Sequence, residues 1–471
     1  MTGKRKRKLA MPDTLIIVAS VVLLVAILSW IIPSGTYDYQ EMNINGRIRN
    51  VAIDGTYHTI DKSEVTTTGF LGFFSVLYRG CVEAADVIFM ILCCCGTFGV
   101  VVKTGAFHAG IGTILKKLKG KEILLVPIIM MIFGLGGSVF GMASEFYGFY
   151  PLIVGLGVAL GYDAMFGFAI IAVGEFVGFM GATLNPYSVG IAQTISGVEL
   201  YSGTGYRAIC FVIFMAISII YVMVYGRKIK KNPGASVVFG EKNIHAFDRD
   251  ELNEYSFTLK DGLVLLDVLV VLIVLMLGLI KWGWDFPQLC GLFLLMSMIA
   301  AAICKWSPNK WCSEFIDSAK TAMWGCILTG IAKAITVVMQ DAQIMDTVIY
   351  GLSNVLKNAP HAVSAQVMLV VQTLINFFIP SATGQASATM PIMAQLADII
   401  GVSRQTAVLA FQFGDGLSNI FWPTADIVII CGLGGISLQK WYKWFTPLFL
   451  ILFVTQAILL GIATGTVSYT H

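Results

Sequence analysis

Long apolar runs alternate with polar stretches along most of this chain. Runs long enough to cross a hydrocarbon core as a helix of about 20 residues occur at 15–32, 85–102, 205–225, 263–280, 287–303, 322–339 and 445–462. Other apolar stretches reach a similar length but are broken by glycine, proline and clusters of polar residues. The pattern predicts an all-α polytopic membrane protein, in which the broken stretches need a separate explanation.

The broken stretches occur twice, once in each half of the chain. The first copy reads GGSVFGMASEFYGFYP at 136–151 and is followed by TLNP at 183–186. The second copy reads IPSATGQASATMP at 379–391 and is followed by SNIFWPT at 418–424. Paired interruptions of this kind are typical of the midplane binding site of a secondary transporter.

Composition and charge agree with a location in the bilayer. The chain is 57% hydrophobic and 13% charged, whereas about 25% of the residues in soluble domains are charged. Basic clusters at 4–8, 116–121 and 227–231 are predicted to face the cytosol, and the segment 34–80 is predicted to face outward. The N-terminus is then cytoplasmic and the C-terminus outside, and the first apolar run is an uncleaved membrane helix.

This topology predicts two inverted repeats, because the charges fall on the expected side only if the halves have opposite orientation. The first repeat, 1–226, has scaffold helices at 12–33, 82–102 and 203–225, a re-entrant hairpin at 122–160 and a broken helix at 163–196. A cytoplasmic linker occupies 227–260. The second part, 261–471, has an extra helix at 262–281, scaffold helices at 285–305, 321–340 and 443–466, a hairpin at 363–400 and a broken helix at 404–436.

The interruptions are the predicted site for solute and ion, because unpaired backbone groups at membrane depth need protein, water or a solute as partner. Glycines permit tight turns at the hairpin tips and prolines stop the crossing helices. The alternative is that these small residues only pack helices together. The predicted binding residues are Ser138, Gly141, Ser144, Glu145, Glu175, Thr183, Asn185, Pro186, Ser381, Thr383, Gly384, Ser387, Asp415, Ser418, Asn419, Pro423, Thr424 and Asp426.

Acids outnumber bases around this predicted site. Glu175 and Asp415 occupy equivalent positions in the two halves, and Lys333 is the single basic residue predicted deep within a span. Intramembrane acids are costly and indicate function, which here favours a cationic group on the solute, a coupling cation, or protonation during transport. The alternative is that Glu175 or Asp415 pairs with Lys333 or caps a half-helix.

Other chemistry lacks support in the sequence. The five histidines are scattered without metal-ligand spacing, and no cofactor is predicted other than Na⁺ or H⁺ as the coupling ion. The predicted partners are a small solute and the lipid bilayer, without nucleic acid. A membrane-embedded enzyme is less favoured because no reactive constellation occurs at helical spacing. A channel is less favoured because it would not require two inverted hairpins around a single site.

Four segments resemble signature sequences of the YfcC family of bacterial inner-membrane carriers, within a superfamily that includes arginine/ornithine antiporters, DcuC-type dicarboxylate carriers and AbgT carriers. These segments are GMASEFYGFYPL, TLNPYSVGIA, IPSATGQASATMPIMAQLAD and FQFGDGLSNIFWPT. The resemblance implies a homodimer in which each protomer has a scaffold and a mobile, elevator-type transport domain. The first tip has Ser144 before Glu145, whereas the arginine/ornithine antiporters have two adjacent acids there.

The sequence therefore predicts a secondary active transporter of the bacterial inner membrane for a small amino-acid-like solute. It would be a basic amino acid antiporter or a cation-coupled symporter. The alternative is a Na⁺- or H⁺-coupled carrier of four-carbon dicarboxylates, short carboxylates or peptides.

Overall fold

The computed structural model describes residues 13–44, 47–118, 122–241, 245, 256–357 and 363–465. The helices of the first half are α1 Thr14–Ile31, α2 Phe70–Glu83, α3 Ala85–Lys103, α4 Ala106–Leu118, α5 Leu125–Leu135, α6 Phe149–Ala159, α7 Ala164–Met180, α8 Val189–Ile195 and α9 Thr204–Lys231. Those of the second half are α10 Leu259–Lys281, α11 Phe286–Ile303, α12 Pro308–Lys320, α13 Met323–Asp341, α14 Met345–Lys357, α15 Ser364–Phe378, α16 Ala382–Ile399, α17 Arg404–Ser418, α18 Asp426–Gly434 and α19 Leu438–Gly465.

Among the described residues, seven helices are long and apolar enough to cross a membrane. They are α1, α3, α9, α10, α11, α13 and α19. Shorter apolar helices lie at the predicted hairpins and broken crossings, including α6, α7 and α15. The prediction of a mainly helical, multi-pass membrane protein is confirmed.

Two small antiparallel sheets between α1 and α2 depart from the all-α prediction. Strand β1 (Ser34–Thr36) pairs with β4 (His58–Ile60), and β2 (Tyr39–Ile44) pairs with β3 (Arg47–Ala52). The strands are three to six residues long, so their alternation of side chains is too brief to stand out beside long apolar runs. Strand β3 packs against α16.

Two further helices, α2 and α12, were missed because each is shorter and more mixed in composition than the span that follows it. The chain bends after α2 at Ala84, which lies outside both α2 and α3, and α12 is separated from α13 by Thr321 and Ala322. The helix α2 packs against α13, and α12 packs against α3. These contacts tie the two halves of the chain together.

Helices α9 and α19 differ from their predicted grouping with the scaffold. They pack against the broken helices instead: α9 lies against α7, and α19 lies against α15 and α17. The Gln456 amide on α19 donates to the carbonyl of Phe413 at 2.9 Å. A Cβ at Gly416 of α17 would lie 2.4 Å from the Met180 Cα of α7. The broken helices and their flanking helices therefore form one packed unit, which we call the inner module (α5–α9 and α15–α19).

The predicted linker begins later than expected and folds back onto the inner module. Helix α9 continues to Lys231, because its apolar run passes into a basic last turn that suits a helix C-terminus. Ser236 then donates a hydrogen bond of 2.6 Å to Asp163, which caps α7. Glu241 pairs with Lys440 on α19 at 2.5 Å. Most of the remaining linker lies outside the described residues.

Candidate functional site

The first hairpin is interrupted by a π-helical turn, Gly136–Phe140, followed by Gly141 in a left-handed conformation at φ 70°. A Cβ on Gly141 would lie 2.4 Å from Oδ1 of Asn185. Glycine is therefore required at this tip for two reasons, its backbone conformation and the close approach of the α7–α8 break.

Ser138 joins this tip to the α7–α8 break. Its carbonyl accepts the Thr183 N–H at 2.9 Å and the Leu184 N–H at 3.3 Å, while its hydroxyl donates to the Gly181 carbonyl at 3.1 Å. Ser138 and Thr183 are buried here. Each interruption thus supplies hydrogen-bond partners to the other, as non-helical backbone at membrane depth requires.

Asn185 organises the restart of the helix after this break. Its Oδ1 accepts the N–H groups of Tyr187 at 2.9 Å and Ser188 at 3.2 Å, a local turn of the kind asparagine favours. Asn185 has no exposed surface. Pro186 lies within this turn, beyond the end of α7.

The tip of the second hairpin is shorter than predicted. Only residues 379–381 separate α15 from α16, so the predicted interruption at 379–391 is helical from Ala382 onward. The reason is the Ser381 hydroxyl, which caps α16 by accepting the Gly384 N–H at 3.3 Å. Gly384 consequently lies within the helix and does not form the predicted tight turn.

The second hairpin also reaches the first break. The Thr383 hydroxyl donates to the Tyr187 carbonyl at 2.9 Å. Ser387, by contrast, bonds within its own helix to the Thr383 carbonyl at 2.9 Å. Three of the four predicted interruptions therefore meet around Thr183 to Tyr187.

The fourth interruption, between α17 and α18, is held by a residue that the sequence analysis missed. The Asn376 amide donates to Asp415 Oδ1 at 2.7 Å and to Asn419 Oδ1 at 3.0 Å. The missed signal was a lone asparagine inside the apolar run LINFF. Ser418 bonds to the Gly414 carbonyl of its own helix at 2.5 Å. Pro423 and Thr424 lie in the loop that follows.

The intramembrane acids are bound by neutral donors. Tyr150 donates to Glu175 Oε2 at 2.8 Å, and Tyr147 donates to Asp426 Oδ1 at 2.8 Å. Tyrosines three residues apart fall on one side of a turn of chain, so the FYGFY sequence was the available signal. Within the described part of the chain, no hydrogen bond or ion pair joins Lys333 to Glu175 or Asp415, so the predicted alternative of a Lys333 pair is wrong there.

Two of these acids lie close together, because Tyr147 and Tyr150, which bind Asp426 and Glu175, are three residues apart. Glu175 and Asp415 have no exposed surface, and each has one carboxylate oxygen without a hydrogen-bond partner among the described residues. We call Glu175, Asp415 and Asp426 the buried acid cluster.

A second missed residue is Arg207, a buried arginine near the start of α9. It is 1% exposed, and its Nε and Nη2 atoms each donate to the Thr183 carbonyl at 3.3 Å. Arg207 is therefore a buried basic residue beside the α7–α8 break. Arg207 places positive charge at the C-terminal end of α7, where the helix dipole is negative. The signal was an arginine opening the apolar run of α9.

A cleft of about 420 Å³ lies between the two hairpin tips and the corner joining α10 to α11. Its size is within the range of small-molecule sites. The described residues that line it are Gly141, Ala143, Ser144, Glu145, Phe179, Tyr187, Leu279, Trp284, Asp285, Phe286, Leu289, Ser381, Ala382 and Thr383. Its charged lining residues, Glu145 and Asp285, are both acidic. The buried acid cluster does not line it.

Long apolar helices define a multi-pass membrane protein, and comparison with known proteins gives its class, a transporter, and its family. The family model described as C4-dicarboxylate anaerobic carrier, DcuC, matches residues 11–465. The chain therefore belongs to the DcuC family of carriers.

Two curated relatives span nearly the whole chain. A protein of Escherichia coli named "Putative basic amino acid antiporter YfcC" is 32% identical and covers 97% of each chain. An uncharacterized protein of Haemophilus influenzae is 27% identical over 97% of this chain and 98% of its own. The predicted resemblance to the YfcC family is confirmed. The solved YdaH transporter of Alcanivorax borkumensis shares 15% identity over 96% of this chain and 98% of its own, with a TM-score of 0.43.

Proposed function

We propose that this transporter is a secondary active carrier of the bacterial inner membrane for a small amino-acid-like solute with a cationic group, working by exchange or with a coupling cation. One observation carries the proposal: both hairpin tips and the α7–α8 break line one cleft whose charged side chains are both acidic. A cleft of one charge sign concentrates solutes of the opposite sign.

The cleft also offers a place for a carboxylate. Ser381 and Ala382, at the N-terminal end of α16, line the cleft beside Glu145. The first N–H groups of a helix lack intrahelical partners and favour an anion. A zwitterionic solute with an additional cation fits this arrangement, with its carboxylate toward α16 and its side-chain cation toward Glu145.

The buried acid cluster is the proposed site of the coupling ion. Its acids have neutral donors, Tyr147, Tyr150 and Asn376, so a Na⁺ or H⁺ entering the cluster would offset negative charge that no described ion pair offsets. The cluster lies in the inner module with both hairpins. Ion and solute would therefore move together.

The inner module is the proposed moving part of an elevator in a homodimer. Supporting this, α5–α8 and α15–α18 repeat one order of hairpin and broken helix. We propose that the two sets are inverted repeats, with the N-terminus in the cytoplasm and the C-terminus outside. The helices α1–α4 and α10–α14 would form the scaffold.

Counterflow in liposomes tests the proposal. Liposomes that contain the protein and are loaded with unlabelled arginine, lysine or ornithine should accumulate the labelled amino acid transiently. Glu145→Gln should weaken this exchange while the protein still folds. Imposing a sodium or a pH gradient separately identifies any coupling ion. Absence of counterflow with all three cationic amino acids would refute the cationic solute.

A dicarboxylate carrier is the second candidate. It is favoured by the description of the matching family and by the N-terminal end of α16 at the cleft. Counterflow of succinate without counterflow of arginine would select this candidate. Two acidic residues in the cleft argue against a doubly negative solute, because like charges repel most strongly where water is scarce.

A further inference from the structure

The corner between α10 and α11 lines the solute cleft but lies outside the inner module. Trp284 and Asp285 of this corner face the hairpin tips across the cleft. The sequence analysis selected neither residue, since both follow the end of an apolar run and precede the next one.

Several local contacts hold this corner in place. The Trp284 N–H donates to the Gly278 carbonyl at 3.1 Å, and a Cβ at Gly278 would lie 2.3 Å from the indole of Trp284. Glycine at 278 therefore lets the indole lie against α10. Asp285 caps α11, accepting the Phe286 N–H at 3.0 Å in a capping box with Gln288.

Charge and aromatic surface coincide at this corner. Asp285, at this corner, and Glu145, at the first hairpin tip, both line the cleft, so two carboxyl groups face the same space. Trp284 and Phe286 line the cleft next to Asp285. Lys281 belongs to the same corner but is not among the described residues that line the cleft. A carboxylate beside aromatic faces is the arrangement that binds ammonium and guanidinium groups.

We propose that Asp285 and Trp284 are specificity-determining residues that bind the cationic group of the solute from the scaffold side, in the conformation in which the cleft adjoins the α10–α11 corner. This rests on the proposed function. Since the corner does not belong to the inner module, any displacement of that module would separate the tips from Asp285. Asp285 therefore contributes to binding on only one side of the membrane. The distribution of basic residues along the chain predicts that this side is the outside.

Arginine exchange in right-side-out and inside-out membrane vesicles tests this asymmetry. Asp285→Asn keeps a side chain that caps helices well and removes the charge. We expect the KM for arginine on the external face to rise about fivefold, the range of a partly exposed charge interaction, with the KM on the cytoplasmic face unchanged. Competition by citrulline, which lacks the guanidinium charge, should strengthen relative to arginine by a similar factor.

Matched variants separate the effect of removing the Asp285 charge from an effect on folding. Asp13→Asn changes the N-cap of α1, which accepts the Leu15 N–H at 2.9 Å and does not line the cleft, so both KM values should stay as in the wild type. Trp284→Leu should raise the external KM, and Trp284→Phe should raise it less. If Asp285→Asn lowers thermal stability, Asp285→Ser, another good helix cap, provides the second measurement.

The outcomes distinguish this inference from the proposed function. Equal changes of KM on both faces, or no change on either, overturn the role of Asp285 while arginine exchange by the wild type upholds the proposed function. A wild-type protein that exchanges no cationic amino acid overturns both.

Discussion

Replacing Gly141 by alanine tests whether the first hairpin tip and the α7–α8 break form one unit. Gly141 has a φ of 70°, and the added methyl group would lie 2.4 Å from Oδ1 of Asn185. The substitution therefore strains the backbone and pushes away the side chain that organises the start of α8.

The two effects can be assigned magnitudes. A left-handed conformation costs a residue with a Cβ about 1–2 kcal/mol. Displacing Asn185 removes the acceptor of the Tyr187 and Ser188 N–H groups, at about 1 kcal/mol for each hydrogen bond. Together these give a loss of about 3–4 kcal/mol, concentrated beside the cleft.

Gly401→Ala is the matched control. Gly401 has a φ of 69°, and nothing lies within 4 Å of a Cβ placed there. It should therefore show only the backbone strain of about 1–2 kcal/mol. Thermal unfolding of the purified protein ranks the variants, and arginine counterflow measures whether the tip still binds solute. We expect Gly141→Ala to be less stable than Gly401→Ala and to lose counterflow, which Gly401→Ala should retain.

A double variant isolates the contact itself. Gly141→Ala combined with Asn185→Ala should be destabilised about 2 kcal/mol less than the sum of the two single changes, because the methyl group then has no amide to displace. Equal stability of Gly141→Ala and Gly401→Ala, or strict additivity in the double variant, would refute the proposed contact between tip and break.

Three further substitutions test individual residues. Asp415→Asn should abolish or uncouple transport without preventing membrane insertion. Asp398→Asn, at an exposed pair with Arg404, should leave transport intact. Wild-type coupling in Asp415→Asn would contradict the role of Asp415 in ion binding. Tyr150→Phe removes the O–H group bound to Glu175 and should lower the stability of the protein by about 2 kcal/mol and alter the ion dependence of transport. Tyr206→Phe, which loses a bond to the Leu459 carbonyl, should leave the ion dependence unchanged. The same ion dependence in both variants counts against the buried acid cluster as the ion site. Arg207→Gln removes the bonds to the Thr183 carbonyl and should weaken solute binding. Arg227→Gln, at an exposed position of the same helix, should not. Equal arginine binding by the two variants would show that Arg207 does not position the α7–α8 break.

Much of the fold could be predicted because bilayer crossings need long apolar runs, and these are visible residue by residue. The interruptions were equally visible: Gly141 and Asn185 stand out from apolar surroundings, and the structure places them in contact. The prediction of the second tip was wrong in extent, since it treated Gly384 as a turn residue. Whether a serine such as Ser381 caps a helix depends on the direction from which the preceding backbone enters that helix. A sequence motif does not specify this direction.

Residues whose role depends on partners far along the chain were missed. Asn376 binds Asp415 across 39 positions, and Arg207 binds the Thr183 carbonyl across 24. Each looks like an isolated polar residue in an apolar run. The grouping of α9 and α19 with the inner module was missed for the same reason. The sequence of a uniformly apolar helix does not indicate which other helices it packs against.

The sequence by itself determined that this protein lies in the membrane, where its helices break, and which polar residues accompany the breaks, because the cost of exposing backbone to hydrocarbon restricts those patterns locally. Only the tertiary structure decided which breaks touch, that the acids are held by tyrosine and asparagine, and that the α10–α11 corner completes the cleft. Those arrangements depend on packing between segments that are distant in the chain, and many packings satisfy the same apolar pattern.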